Sequence, residues 1–212
     1  MIKKFVAGFG LLGAAAMVAL SIGAEAGEPL PIVKRVEEKY AKVDVMTASF
    51  DQTVRSAAFG EEKSKGTLAL KRPKKMKWDF GSKMYVFDGQ QMWLFSKEEN
   101  VAYKYAGAQG GDADQLLTSL GSLDTLFIVT ELKSAVAGHH SLDLAPRKAE
   151  GQMKKVHIEL DPDLLVERVV ITDAFDTVTD LSFRDLKLNG NVPDSTFVFL
   201  PPAGTQVIDA SQ

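Results

Sequence analysis

The sequence predicts an α+β fold, with roughly ten or eleven antiparallel strands and two or three short helices. Three observations predict it. Apolar and polar residues alternate with a period of two through most of the chain after residue 45. Turn-forming residues punctuate those runs. Helical spacing is confined to two stretches, one before residue 45 and one between about 112 and 129. A sheet of that many strands curls or closes, and the helices must bury their apolar stripes against one mouth or face of it.

The elements follow in order. Pro29 and Pro31 open an amphipathic helix on which Val33, Val36, Tyr40 and Val43 fall at helical spacing, with Lys34, Arg35, Glu37 and Glu38 between them. Met46, Ala48, Phe50, Gln52 and Val54 then alternate with Thr47, Ser49, Asp51 and Thr53, as in a half-buried strand. Residues 55–65 are polar and read as a loop. Leu68 and Leu70 share one strand face, and Met76, Trp78 and Phe80 share another, opposite Lys75, Lys77 and Asp79. Residues 83–87 alternate into Asp88-Gly89, a strong hairpin signal, and 91–95 and 101–105 complete an antiparallel meander. After Gly110-Gly111, Asp112 can cap a helix carrying Leu116, Leu117 and Leu120, which Gly121 ends. Asp124 caps a further short helix with Leu126, Phe127 and Val129, unless that stretch is a strand. Strands resume near 141–145, 153–160, 164–172, 177–188 and 195–200, with turns at Asp161-Pro162-Asp163 and Asn189-Gly190-Asn191. Pro201-Pro202 and Gly204 end regular pairing.

Composition bounds the function. The 212 residues carry a net charge of −3, with 45% hydrophobic and 25% charged residues, as in a folded globular protein. The absence of cysteine excludes disulfides, thiolate metal sites, cysteine nucleophiles and a lipid-bearing N-terminal thiol. The near-neutral balance argues against nucleic acid as a partner. Lys3 and Lys4, an apolar run from Phe5 to Ile22, and Ala24-Glu25-Ala26 have the order of a secretory signal peptide. An uncleaved anchor is the alternative, since about 18 apolar residues can just span a bilayer. The Ala-x-Ala directly after the run favours cleavage. Residues 1–26 are therefore expected to be the export signal and 27–212 one domain, outside the cytoplasm, where ATP-dependent chemistry is not expected. Losing two lysines and one glutamate shifts the net charge from −3 to −4.

No catalytic motif emerges: there is no Gly-x-Ser-x-Gly, no phosphate-binding glycine loop and no His-Glu-x-x-His. His139-His140 sits in a Gly-flanked stretch and reads as solvated loop histidines rather than metal ligands. His157 and Glu159 share a strand face but lack the cysteines of a zinc deaminase site. Asp161, Asp163, Asp173, Asp176 and Asp180 lack the glycine and closing glutamate of a calcium loop. No cofactor, metal or catalytic residue is expected. Lys71, Arg72, Lys74, Lys75 and Lys77 put five positive charges in seven residues, either a solubilising face or a surface for anionic headgroups or an acidic protein. Arg72, beside Pro73 at a strand end, can bridge several backbone carbonyls and pin a helix or loop across the sheet mouth. Met46, Phe50, Met76, Trp78, Phe80, Met84, Met92 and Trp93 form a set heavy in soft, large side chains, suited to varied apolar guests; an ordinary packed core is the simpler reading of the pattern.

Four stretches in register carry a resemblance: Thr47-Ala48-Ser49-Phe50-Asp51-Gln52; Gly66-Thr67-Leu68-Ala69-Leu70-Lys71-Arg72-Pro73 with Met76-Lys77-Trp78; Asp88-Gly89-Gln90-Gln91-Met92-Trp93; and Phe197-Val198-Phe199-Leu200-Pro201-Pro202-Ala203-Gly204. Over about residues 30–208 the chain resembles the LolA family, periplasmic carriers of outer-membrane lipoproteins; residues 106–150 depart most from the family pattern. The resemblance implies an incomplete, open antiparallel β-barrel with short helices forming a lid over a hydrophobic cavity for lipoprotein acyl chains. It implies Val36, Tyr40, Phe50, Leu68, Leu70, Met76, Trp78, Phe80, Trp93, Leu116, Leu117 and Leu120 as acyl-chain contacts, and Arg72 as the lid latch. The implied partners are acylated lipoproteins, a LolCDE-type inner-membrane ABC transporter and, where present, a LolB-type outer-membrane acceptor; no enzyme activity is implied, and a monomer is expected. The alternative is a lipid- or lipoprotein-sensing regulatory module on the same fold.

Overall fold

The computed structural model describes residues 30–107, 112–148 and 153–211. The expected export signal at 1–26, Pro29 and Gly110-Gly111 lie outside the described residues. In chain order the elements are α1 (Pro31–Tyr40), β1 (Val45–Ser56), β2 (Gly60–Lys71), β3 (Lys75–Asp79), β4 (Lys83–Phe87), β5 (Gln91–Ser96), β6 (Val101–Ala106), α2 (Asp112–Ser119), α3 (Leu123–Leu126), β7 (Phe127–Leu132), β8 (His140–Pro146), β9 (Met153–Leu160), β10 (Val166–Asp173), β11 (Val178–Leu188) and β12 (Gln206–Asp209), with single 3-10 turns at Leu120–Ser122 and Asp194–Phe197.

Among the described residues the strands form one twelve-stranded sheet in the order β12-β6-β5-β4-β3-β2-β1-β11-β10-β9-β8-β7. Neighbours are antiparallel except β12, which runs parallel to β6. The end strands β7 and β12 do not pair with each other, so the barrel is open. The fold class stands, with twelve strands rather than ten or eleven.

The inner face of β8–β11 carries Leu142, Leu144, Val156, Ile158, Leu160, Val169, Ile171 and Leu181, all buried. Helix α1 lies across it. Pro31 opens the helix, its missing N–H costing nothing at that position, and Ile32, Val33, Val36 and Tyr40 face inward. Leu116 and Leu117 of α2, with Leu120 and Leu123, join the same core. The expected helical segments are thus present.

Four local expectations are corrected. Residues 55–65 are not a loop: β1 and β2 run on as a paired hairpin to Ser56 and Gly60. Residues 57–63 are exposed, so neither face needs apolar residues there, and Phe59 at the tip is 93% exposed. The stretch after Asp124 is both helix and strand, changing at Phe127. Asp124 lies inside α3 rather than at its cap, and its N–H donates to Glu37 Oε1 at 2.8 Å. Residues 195–200 are not a strand. They hold a 3-10 turn and an irregular run whose Phe197 is buried, and pairing resumes at β12, beyond the prolines.

Candidate functional site

The concave face divides into two halves. Under α1–α3 it is solid: Val36, Leu116 and Leu120 are fully buried, and Tyr40, Leu68, Leu70 and Leu117 nearly so. Beyond the helices, between the long β1–β2 hairpin and β3–β5, it opens into a hollow of about 830 Å³. That volume falls in the usual range of ligand pockets, about 300–1,000 Å³.

Register explains where the hollow begins. Phe50 stands opposite Gly66 on β2. A Cβ at Gly66 would collide with the Asp79 carbonyl and come within 2.9 Å of Phe50 Cζ. The missing side chain lets the Phe50 ring lie over the backbone and meet Trp78 at 5.0 Å and Phe80 at 5.1 Å, both edge-on. Trp78 and Phe80 stack at 6.1 Å, and Tyr85 meets Phe80 at 5.8 Å. This aromatic group is the floor. Met76, Met92, Ile171 and Leu181 extend the apolar lining, and Gln52, Val54, Glu62, Ser64, Lys83 and Thr179 continue the wall toward the solvent.

Of the twelve residues the resemblance implied, Met76, Trp78 and Phe80 line this hollow, and Phe50 packs beneath Trp78 and Phe80. Val36, Tyr40, Leu68, Leu70, Leu116, Leu117 and Leu120 are in the packed half. Trp93 lies on the face of β5 opposite the hollow. It pairs with Val86 and Lys104, and its ring meets Phe199 at 5.3 Å. There Val86, Phe95, Ala102 and Phe197 are buried in a second, smaller core, formed where the C-terminal segment crosses the outside of the sheet. Both faces of β5 are covered, so both are apolar, and alternation alone does not distinguish Met92 from Trp93. The further lining residues Gln52, Val54, Tyr85, Ile171, Thr179 and Leu181 were not among the expected contacts, although the inward set containing Gln52 and Val54 was visible in the alternation of β1; Met92, also in the lining, was in the soft apolar set but not among the contacts the resemblance implied.

Arg72 makes the bridge its position suggested. Its guanidinium donates to the Tyr40 and Ala41 carbonyls, each at 3.2 Å. These acceptors sit at the C-terminal end of α1, where helix carbonyls lack intrahelical partners. Two further contacts hold the helices together. Glu37 accepts the N–H of Asp124, and the backbone at Gly121 comes so close to Ala41 that a Cβ there would stand 3.0 Å from its nitrogen. The Tyr40 hydroxyl accepts the Val166 N–H at 3.1 Å, and burial pushes its phenol pKa up.

Two lysines of the basic cluster are engaged internally. Lys71 and Lys75 each lie 2.7 Å from an Asp194 carboxylate oxygen, and Lys71 also donates to the Val192 carbonyl. The two ammonium groups hold Asp194 down to about 2. They fasten the C-terminal segment across the β2–β3 corner.

The histidines lie away from the hollow. His139 faces Glu167 at 3.2 Å, and His140, at the start of β8, faces Glu131 at 3.3 Å. On the outer face of β8 and β9, His157 Nδ1 is 2.7 Å from Asp143, while Nε2 lies 3.4 Å from Ser141 Oγ and 3.6 Å from Glu159. The order Ser-His-Asp resembles a nucleophile, base and orienter. However, Lys155 also holds Asp143, depressing its carboxyl pKa more than His157 does. Glu159 continues through Arg168 to Asp180. The group is a cross-strand ladder of charges and does not line the hollow. Among the described residues no group of histidines and carboxylates could hold a metal ion.

An open antiparallel sheet, with helices packed on one part of its concave face and an aromatic-floored hollow beside them, is the architecture of a binding protein. The family model described as "Outer membrane lipoprotein carrier protein LolA" matches residues 41–200, and the chain belongs to that family. An outer-membrane lipoprotein carrier protein of Dechloromonas aromatica is 27% identical over 93% of this chain and 95% of the relative. One of Bordetella pertussis is 28% identical over 98% of each. An uncharacterized conserved protein from Thermus thermophilus shares the fold, with a TM-score of 0.53 at 14% identity over 84% of this chain and 97% of that one.

Proposed function

We propose that this protein is a non-enzymatic periplasmic carrier that takes up the acyl chains of lipoproteins released from the inner membrane and delivers them to the outer membrane. The observation that carries the reading is the hollow of about 830 Å³ floored by Phe50, Trp78 and Phe80. Family membership and the carrier names of its relatives support it.

The energetics explain the need for such a site. Each buried methylene gains roughly 0.8 kcal/mol, so a multiply acylated protein does not cross water unaided. Complete burial would also make release too slow. A lid whose closed packing competes with cargo sets an intermediate affinity. Here Val36, Tyr40, Leu116, Leu117 and Leu120 pack against the sheet in the closed arrangement and would meet acyl chains when the helices lift. Arg72 is the latch that favours closure. A LolCDE-type transporter would load the carrier and a LolB-type acceptor would unload it.

The test incubates the purified mature protein with a triacylated lipoprotein in detergent-free buffer. A carrier holds the lipoprotein soluble and intact. Release of free fatty acid, or sedimentation of the lipoprotein as it does alone, overturns the reading.

A further inference from the structure

The inner face of β1 changes character along its length. Phe50 is fully buried in the floor, and Gln52, the next inward residue, is a half-buried amide in the wall of the hollow. Gln52 stands opposite Ser64 on β2 and Leu181 on β11. Val54, two residues nearer the mouth, stands opposite Glu62 and Thr179. The hollow is therefore aromatic at its floor, and on the β1–β2 wall the uncharged Gln52–Ser64 pair stands between that floor and Glu62.

The Ser64 hydroxyl donates to Gln52 Oε1 at 3.1 Å. With Oε1 turned toward Ser64, the Gln52 NH₂ is left as a donor. Among the described residues it donates no hydrogen bond to the protein. While water reaches the wall, the donor is satisfied. A chain that fills the hollow expels that water, and a stranded buried donor is costly. A ligand with a carbonyl at the head of its chain supplies the missing acceptor; a bare hydrocarbon does not.

The geometry points to Gln52, positioned by Ser64, as the residue that reads the head of the ligand: the site takes acyl esters and amides, with the chain on the aromatic floor and the carbonyl at the Gln52 amide, and discriminates against plain hydrocarbon. This inference rests on the acyl-carrier reading and adds to it a specificity-determining residue.

The experiment uses the full mature protein loaded with the apolar fluorophore N-phenyl-1-naphthylamine, displaced in parallel by methyl laurate and by tetradecane, chains of equal length that differ in the ester. The preference for the ester in wild type is compared with that in Gln52→Leu and Gln52→Glu. Loss of one buried donor–acceptor pair corresponds to roughly tenfold in relative affinity. Both variants are expected to lose that tenfold ester preference, and Gln52→Leu to bind tetradecane at least as well as wild type. Gln52→Glu keeps the size of the side chain and still accepts from Ser64, but as a carboxylate it offers no donor. A purely structural cross-strand pair would survive that change, so an ester preference retained in Gln52→Glu overturns the inference. Equal preference in wild type and Gln52→Leu overturns it as well. Failure of wild type to bind the fluorophore or either chain overturns the carrier reading itself and this inference with it.

Discussion

A methyl group on Gly66 would meet the Asp79 carbonyl and the Phe50 ring at once. Neither yields easily. The carbonyl belongs to the backbone, and the ring is fixed edge-on against Trp78 and Phe80. Gly66→Ala is therefore expected to destabilise the protein by about 1–3 kcal/mol through overpacking, with a lower midpoint in urea unfolding. It should also shift the emission of Trp78, because Phe50 must tilt into the hollow. Phe59 gives the contrast. At 93% exposed on the hairpin tip it contributes no core packing, and Phe59→Ser should leave the stability in urea within about 0.5 kcal/mol of wild type.

At the scale of elements, α1 and the segment around Asp194 are each fastened by cations from the β2–β3 corner. Arg72 holds the end of α1, and Lys71 and Lys75 hold the segment around Asp194. Arg72→Leu removes both guanidinium bonds; the Tyr40 carbonyl keeps the Val43 N–H, and the Ala41 carbonyl is left to water. Because these bonds are partly exposed, the expected cost is only about 1 kcal/mol. It should appear as faster amide exchange in the last turn of α1, together with impaired transfer of cargo to the acceptor; unchanged transfer would refute the latch. The Asp194 clamp is pH-dependent, with a defined sign. Its folded-state pKa of about 2 lies below the ordinary 3.8, so its stabilisation is present above about pH 4 and is lost as pH falls through about 2. Trp93, packed on Phe199 of the same segment, should report loosening over that window, and Asp194→Asn should show the loosened signal already at pH 7. Strands such as β1, β3 and β9 were legible in the sequence because each has one apolar face. The far end of the β1–β2 hairpin was not, since Glu61, Glu62, Lys63 and Lys65 project past the core and both faces stay polar. Phe197-Val198-Phe199-Leu200 alternates like a strand, but it is apolar because it covers Trp93 and Phe95 from outside.

For the whole molecule, the same physical fact limits how much of the site could be read. Alternation put Met76, Trp78 and Phe80 on one apolar face, and the resemblance named them as contacts. Alternation carries no information on which part of that face the helices fill, because a residue under α1 and a residue facing the hollow are both apolar and both inward. That division predicts opposite behaviour for two large-to-small changes on one face. Leu120 is fully buried between the helices and the sheet. Leu120→Ala should cost about 2–5 kcal/mol in urea unfolding. If the packed half competes with cargo, loosening it should leave the folded protein binding acyl chains as tightly as wild type or more tightly. Phe80 is half-buried on the floor of the hollow. Phe80→Ala exposes little new core and should cost only about 1–2 kcal/mol, but it removes a ring from the floor of the hollow and should weaken binding of the fluorophore roughly tenfold. Both measurements are made on folded protein well below the unfolding midpoint. Equal loss of binding in the two variants would mean that the filled and open halves act as one site, and that the helices are not in competition with the cargo.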